Sequence, residues 1–358
     1  MLTIAIFNLV VVIIAYLAYL LRSVRWLQLS FFLIFLFLAL RYDFGNDYQN
    51  YLVGFGDVNA FNKLPDFEPG WVLLCRLFNP VGFFAMVAVL AAFNCIVYYQ
   101  LIKKYVPPAY YWFAVFLYVF NADMMLIHSS AMRQSVAIAI FVYAFDFLYK
   151  KNYLRYFLCI AVAAFFHSSA LILFPIFILG AFNWKVNRIA AVTLFAVFVL
   201  VIVFVEFLAP YIGRLVYMFF EQYSVYQTGA DSRIGTGLAF VFRLILFALV
   251  LVYAQFQTGA ISLLFKIGIL ALFVEPFGFD IVMISRMGMY FQPALLAVIP
   301  LVIWNIKGHN IYRTCSKCSL VAAYIVITLY SFYGFFQSEV WRDRFGTYKT
   351  IFTAPEIY

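Results

Sequence analysis

Apolar runs of nearly 20 residues recur from one end of this chain to the other, near 2–21, 26–40, 81–102, 109–127, 132–149, 189–209, 237–256, 260–277, 288–304 and 318–336. An α-helix needs about 20 such residues to cross a hydrocarbon core of about 30 Å. A membrane-spanning β-barrel would instead show weakly alternating segments of about ten residues. Only 11% of the 358 residues are charged, against about 25% in soluble domains. The sequence therefore predicts an all-α, polytopic integral membrane protein of about 10 spanning helices, with residues 1–358 forming one transmembrane domain and no room for a soluble one.

One stretch, 154–182, is too long for one span and short for two. Lys and Arg in short loops favour the cytoplasm. Lys150, Lys151 and Arg155 precede this stretch and Lys185 and Arg188 follow it, so it is expected to enter and leave on the same side. That gives a hairpin: a helix to about Phe166, a turn at His167-Ser168-Ser169, and a return leg kinked at Pro175. Thirteen helical residues rise about 20 Å, so the tip stops inside the bilayer. Non-helical backbone at that depth is tolerated only against protein or a water-filled cavity. The first apolar run lacks a basic leader and is followed by Arg22 and Arg25, as expected of a retained first helix. On this count both termini lie outside, with exterior loops at 41–80, 121–132 and 210–236 and an exterior tail at 337–358.

The net charge of +9 does not form a nucleic-acid surface, because it is spread over many short loops. The cytoplasmic loops carry mostly lysine and no acidic residue; the exterior carries mostly arginine, including Arg41, Arg76, Arg133, Arg214, Arg233, Arg286, Arg342 and Arg344. Arg243 lies two turns into a helix from that same side. A guanidinium is a planar fork that holds phosphate or carboxylate bidentately. The five cysteines make no disulfide framework, and Cys315-x2-Cys318 with His309 nearby falls short of the four ligands of a structural zinc site. Neither a metal nor a cofactor is expected.

Chemistry is expected where ionisable groups gather. Arg41–Gly70 holds five acidic and two basic residues in an otherwise apolar chain. Arg41, Asp43 and Asp47 follow the second apolar run, where snorkelling and a local ion pair are the bland reading; Tyr48 and Tyr51 offer faces on which a sugar can stack. Glu68-Pro69-Gly70 opens an apolar octad too short to span, which reads as an interfacial helix with Glu68 near its N-terminus, where capping alone would explain the carboxylate. Arg133-Gln134 follows the polar break 121–130, and Arg286 marks a helix end near Glu275 and Asp280, either of which could pair with it. His167 marks the hairpin tip; it is either a hydrogen-bonded packing residue or a general base near neutral pH.

The order Arg41-x3-Gly45-x-Asp47-x3-Tyr51, Glu68-x-Gly70, Arg133-Gln134, Phe166-His167-Ser168-Ser169-Ala170-Leu171 and Arg286-x3-Tyr290-Phe291 resembles the EpsG family of Wzy-like bacterial exopolysaccharide and O-antigen polymerases, over about residues 41–300. The resemblance implies a glycosyltransferase of the bacterial inner membrane. It would join undecaprenyl-pyrophosphate-linked oligosaccharide repeat units, one as donor and one as acceptor, on the periplasmic face with release of lipid pyrophosphate. Arg133 and Arg286 would bind phosphate, joined by Arg41 and Arg243. His167 and Asp47 would be catalytic, with Glu68 as a further candidate base. Gln134 and Tyr290 join Tyr48 and Tyr51 as sugar-binding candidates. Membrane lipids are expected partners, with a chain-length regulator and export proteins beside them, and no nucleic acid. The rival readings are a lipid-linked oligosaccharide flippase or other transporter, an O-antigen ligase and a membrane acyltransferase. The absence of acidic partners on the cytoplasmic side argues against alternating access.

If the hairpin tip faces a water-filled cavity, a Ser168→Cys variant reacts with a small thiol reagent from one side of the membrane. A cysteine there that reacts from neither side would rule the cavity out.

Overall fold

A computed structural model describes the chain except residues 60–66, 183, 220–237, 280–281, 309 and 354–358. Leu2–Leu20 (α1) and Arg25–Ala39 (α2) form a helical pair, and Arg41–Tyr42 (β1) follows at its end. Tyr48–Asn59 (α3) and Pro69–Phe78 (α4) fill the loop before Phe83–Tyr105 (α5). Next come Tyr111–Phe120 (α6), Met125–Ser130 (α7), Met132–Tyr149 (α8), Tyr153–Phe166 (α9) and Phe177–Ala181 (α10). The later part holds Arg188–Phe219 (α11), Leu238–Ala254 (α12), Gly259–Val274 (α13), Val282–Gly288 (α14), Leu295–Asn305 (α15), Asn310–Phe335 (α16) and Glu339–Phe345 (α17), then Lys349–Thr350 (β2).

Six of the described helices are long and apolar enough to cross a membrane, and shorter apolar helices pack among them. The chain is thus an all-α, multi-pass membrane protein. Burial follows position in the bundle rather than hydropathy: α5 and α8 are more than half buried, whereas α11 and α16 present most of their apolar surface outward. Ile189, Val203 and Phe207 on α11 are examples. In lipid that exposure costs nothing, so inter-helix polar contacts carry more of the specificity. Asn8, fully buried on α1, donates its amide to the Val119 carbonyl of α6 at 2.7 Å.

Two of the expected apolar spans are broken. The run 109–127 yields only the ten residues of α6 before the chain turns, because the Asn121 side chain accepts from the Asp123 amide at 3.0 Å and competes with the helix for its own backbone. The run 288–304 starts late: a 3-10 turn at Gln292–Ala294 precedes α15, and Pro293 within it has no N–H to give. The hairpin is as expected up to Phe166. His167 is extended (φ −155°, ψ 113°), and the return leg is a 3-10 helix, Ser168–Ile176, leading into α10. The Tyr156 hydroxyl donates to the Leu173 carbonyl at 2.6 Å, tying the two legs together.

The two ends of the chain meet beside the charged stretch. β1 and β2 pair antiparallel, with Arg41 opposite Thr350 and Tyr42 opposite Lys349. The N-terminal amine donates to the Gly346 carbonyl at 3.1 Å. Tyr348 stacks on Phe37 with ring centres 4.3 Å apart, and its hydroxyl donates to the Phe37 carbonyl at 2.6 Å. Phe345 is fully buried edge-on to Phe44 at 5.0 Å.

At the opposite, lysine-rich end, Lys104 of α5 pairs with Asp146 of α8, 2.6 Å from Oδ2, and the Tyr105 hydroxyl donates to Oδ1 at 2.9 Å. This corrects the expectation that no acidic partner lies there. Asp146 sits in the last turn of a helix, so a count of loop charges passes over it. The 210–236 loop lies outside the described residues from 220 on, as do Arg233, Asp280 and His309.

Phe345→Ala is expected to cost about 3–5 kcal/mol, the usual range for a buried Phe, and to release the tail. Thermal unfolding and limited proteolysis read both effects. An unchanged midpoint with a protected tail would show that the tail is not held by this ring.

Candidate active site

Glu68 sits just before α4 in extended conformation, with Pro69 in the first helical turn. Its side chain makes no capping bond to its own helix, so the capping explanation does not apply. The carboxylate instead turns across to the hairpin and to α8. Oε1 accepts from His167 Nδ1 at 3.0 Å and from the Ser168 amide at 3.2 Å. Oε2 takes the Arg133 guanidinium. What allows this reach is Gly70: a Cβ there would sit 2.6 Å from the Phe165 carbonyl oxygen. Only glycine lets α4 lie close enough against α9 for Glu68 to meet the residue that ends it.

Arg133 opens α8. Its guanidinium lies 4.9 Å over the Phe67 ring and 5.8 Å over the Tyr51 ring, and it is hydrogen-bonded to Tyr51. Asp47 faces the same space, within electrostatic reach of both Arg133 and Arg286. It is positioned through its backbone, whose amide donates to Ser130 Oγ at 3.2 Å. Gly45, at φ +117°, makes that approach possible, because a Cβ would lie 3.0 Å from the Ser130 Cα. On the third side stands α14, where the Gln134 amide donates to the Arg286 carbonyl at 2.7 Å. The Tyr290 hydroxyl and Ser169 Oγ are 2.9 Å apart, joining the segment after α14 to the hairpin.

The cluster therefore draws on five separated parts of the sequence. Burial by itself would raise the Glu68 carboxyl, but the His167 hydrogen bond and the Arg133 charge outweigh it and hold it at about 2. Burial raises Asp47, against the pull of Arg286 and Arg133. Two carboxylates in one site are thus pushed in opposite directions. With Glu68 ionised, His167 Nδ1 carries its proton toward the carboxylate, which leaves the lone pair on Nε2. That nitrogen is buried and has no hydrogen-bond partner among the described residues.

Other sequence candidates lie elsewhere or are packed beneath the cluster. Arg41 is 3% exposed and donates to the Leu38 and Ser129 carbonyls; it joins α2 to α7 and does not reach the cluster. Tyr48 is fully buried, with its hydroxyl donating to the Arg41 carbonyl at 3.1 Å, and presents no face to a sugar. Tyr51 is buried beneath Arg133, its ring centre 4.8 Å from that of Trp71. Arg243 pairs with Glu275 at 3.1 Å, on the far side of α14, and it is Arg243 rather than Arg286 that Glu275 meets. The Ser168 amide, Ser130 and Phe67 were not legible as parts of the site. For Phe67 the only signal was adjacency to Glu68. Among the described residues, no group of three or more His, Cys, Asp or Glu is placed to hold a metal ion.

The fold and this cluster define a multi-pass helical membrane protein with a histidine–carboxylate–arginine centre at one end of its bundle. The family model of EpsG matches residues 24–355, nearly the whole chain. This protein belongs to the EpsG family, and that membership supports a polysaccharide polymerase-like role in exopolysaccharide biosynthesis, with lipid-linked glycan substrates. No curated protein and no solved structure matches the chain.

Because the folded Glu68 carboxyl titrates at about 2 rather than its ordinary 4.5, its stabilising contribution is complete above about pH 4.5 and is lost as the pH falls toward 2. Thermal unfolding of the purified protein should hold steady from pH 8 to about 5 and decline below that. Glu68→Gln should lower the neutral-pH midpoint and flatten part of the acid decline. An identical acid profile in the variant would remove Glu68 from that role.

Proposed function

We propose that this protein is a metal-independent polysaccharide polymerase of the bacterial inner membrane, joining undecaprenyl-pyrophosphate-linked repeat units on the periplasmic face. The observation that carries this reading is His167, held through Nδ1 by an ionised Glu68, with Nε2 unpartnered among the described residues and two arginines beside it. An acceptor hydroxyl attacks the anomeric carbon of the donor sugar. Its proton passes to His167 Nε2 as the new glycosidic bond forms. The bond between the anomeric carbon and the pyrophosphate oxygen breaks, and its electron pair leaves with the lipid pyrophosphate. Arg286, with Arg133 behind it, faces the charge that builds there, and preorganised charge in a water-poor site is usually a large catalytic effect.

Glu68 orients the histidine and stabilises the imidazolium that forms. It is too acidic, and too fully occupied by three donors, to serve as the base itself. Asp47, whose carboxyl is raised by burial, orients the acceptor hydroxyl. On this reading the charged end of the bundle, where the termini and the 41–80 loop meet, faces the periplasm. A transporter gains an acidic group at the opposite end in Asp146, but that carboxylate is engaged by Lys104 and Tyr105.

Purified protein incubated with a lipid-linked repeat unit is expected to build a ladder and release lipid pyrophosphate. Translocation in vesicles without new bonds would make it a flippase. His167→Ala should slow ladder growth by about 10²–10⁴-fold, the usual range for a lost general base; unchanged polymer length and yield would end its assignment.

A further inference from the structure

Behind α14 lies a second compartment. A cavity of about 540 Å³ opens between α6, α12, α13, α14, α15 and α16, within the range of about 300–1,000 Å³ typical of small-molecule sites. It is distinct from the histidine cluster: His167, Glu68, Arg133 and Asp47 do not line it. Only one helical turn separates the two, because Ser285 and Gly288 line the cavity while Arg286 between them bears on Asp47 and His167.

The polar groups lining it suit hydroxyl-bearing ligands. Tyr324 is 6% exposed, and its hydroxyl has no hydrogen-bond partner among the described residues; nor does the Gln292 side-chain oxygen. Buried polar atoms are rarely left so, and both residues line this cavity. Asp123, an exposed residue, lines the same cavity. Among the described lining residues the charges are Arg243, paired with Glu275 at 3.1 Å, and Asp123. The one described guanidinium is engaged by Glu275, and Asp123 adds a further carboxyl rather than a cation, so no positive surplus remains for an anion. A pyrophosphate or an acidic sugar would meet net repulsion here, whereas neutral hydroxyls can both donate to carboxylates and accept from Arg243 and Tyr324. The remaining wall is apolar, including Phe242, whose ring meets Tyr324 edge-on at 4.8 Å, and suits the C–H faces of sugar rings.

We propose that this cavity is a glycan compartment that takes the uncharged, hydroxyl-rich sugars of a lipid-linked substrate and leaves the pyrophosphate to Arg286 and Arg133 across α14. The proposal rests on the polymerase reading for the origin of the glycan, but binding tests it without bond formation. Isothermal titration calorimetry on the purified full-length protein would compare neutral trisaccharides (maltotriose, cellotriose and the N-acetylglucosamine trimer) with a galacturonic acid trimer and with inorganic pyrophosphate. At least one neutral trimer is expected to bind, with the acidic trimer at least about tenfold weaker. Ser331→Phe, which fills the cavity from α16, and Gln292→Ala should each weaken neutral binding by about tenfold or more; Val326→Phe, at an exposed position of the same helix outside the cavity lining, should not. Pyrophosphate binding should fall in Arg286→Gln and stay unchanged in Ser331→Phe.

The proposal is overturned if no neutral trimer binds, if the acidic trimer binds as well, or if both cavity variants bind normally. Glycan binding without ladder formation would sink the polymerase reading alone. Ladder formation with cavity variants that bind and polymerise normally would sink this one alone.

Discussion

The charged end of this bundle depends on one carboxylate. Glu68 collects a guanidinium from α8, an imidazole nitrogen from the end of α9 and a backbone amide from the start of the return leg. Removing one partner of a buried charge pair leaves the other uncompensated, at a typical cost of about 3–5 kcal/mol. Here a single removal would strand Arg133, free the imidazole to turn and leave the Ser168 amide without its acceptor. The hairpin tip is non-helical backbone in an apolar segment, and such backbone persists only where protein supplies its hydrogen bonds. Glu68 supplies one of them, so the fold of the tip and the orientation of His167 have the same physical cause.

Two close approaches make that geometry possible, and both depend on glycine. Gly70 brings α4 against the Phe165 carbonyl, and Gly45 brings the start of the loop against Ser130. Without them Glu68 and Asp47 would stand farther from the arginines that they face. The tail completes the scaffold from outside: β2 and the Tyr348 ring clasp the strand from which the loop departs. Residues more than 300 positions apart thus fix the start of a loop whose other end carries the carboxylate.

The helix α14 organises the rest. It offers Arg286 to the cluster, gives its backbone to Gln134, and turns Ser285 and Gly288 to the neighbouring cavity. On the proposed reading, a reaction between two large lipid-linked substrates would require an anionic leaving group and a hydroxyl-rich glycan to be held at once, in surroundings of different charge. One side of α14 is rich in arginine, while on the other a guanidinium is already balanced by carboxylate.

The all-α membrane class was legible in the sequence because hydrocarbon imposes a length of apolar helix that composition alone reveals. The fold-back at His167 was legible too, since 154–182 is too long for one span and short for two, and the gathering of Asp47, Glu68, Arg133, His167 and Arg286 into the candidate set followed from the rarity of ionisable residues in such a chain. Tertiary structure alone decided how those groups pair. Sequence kept Arg41 and Arg243 beside Arg133 and Arg286 as phosphate binders, but a guanidinium reaches only as far as its helix lets it: Arg41 is spent on backbone carbonyls and Arg243 on Glu275. It also left Glu68 as a cap or a base. Which donors a carboxylate meets depends on how closely two helices pack, and that distance was set by the missing side chain of Gly70.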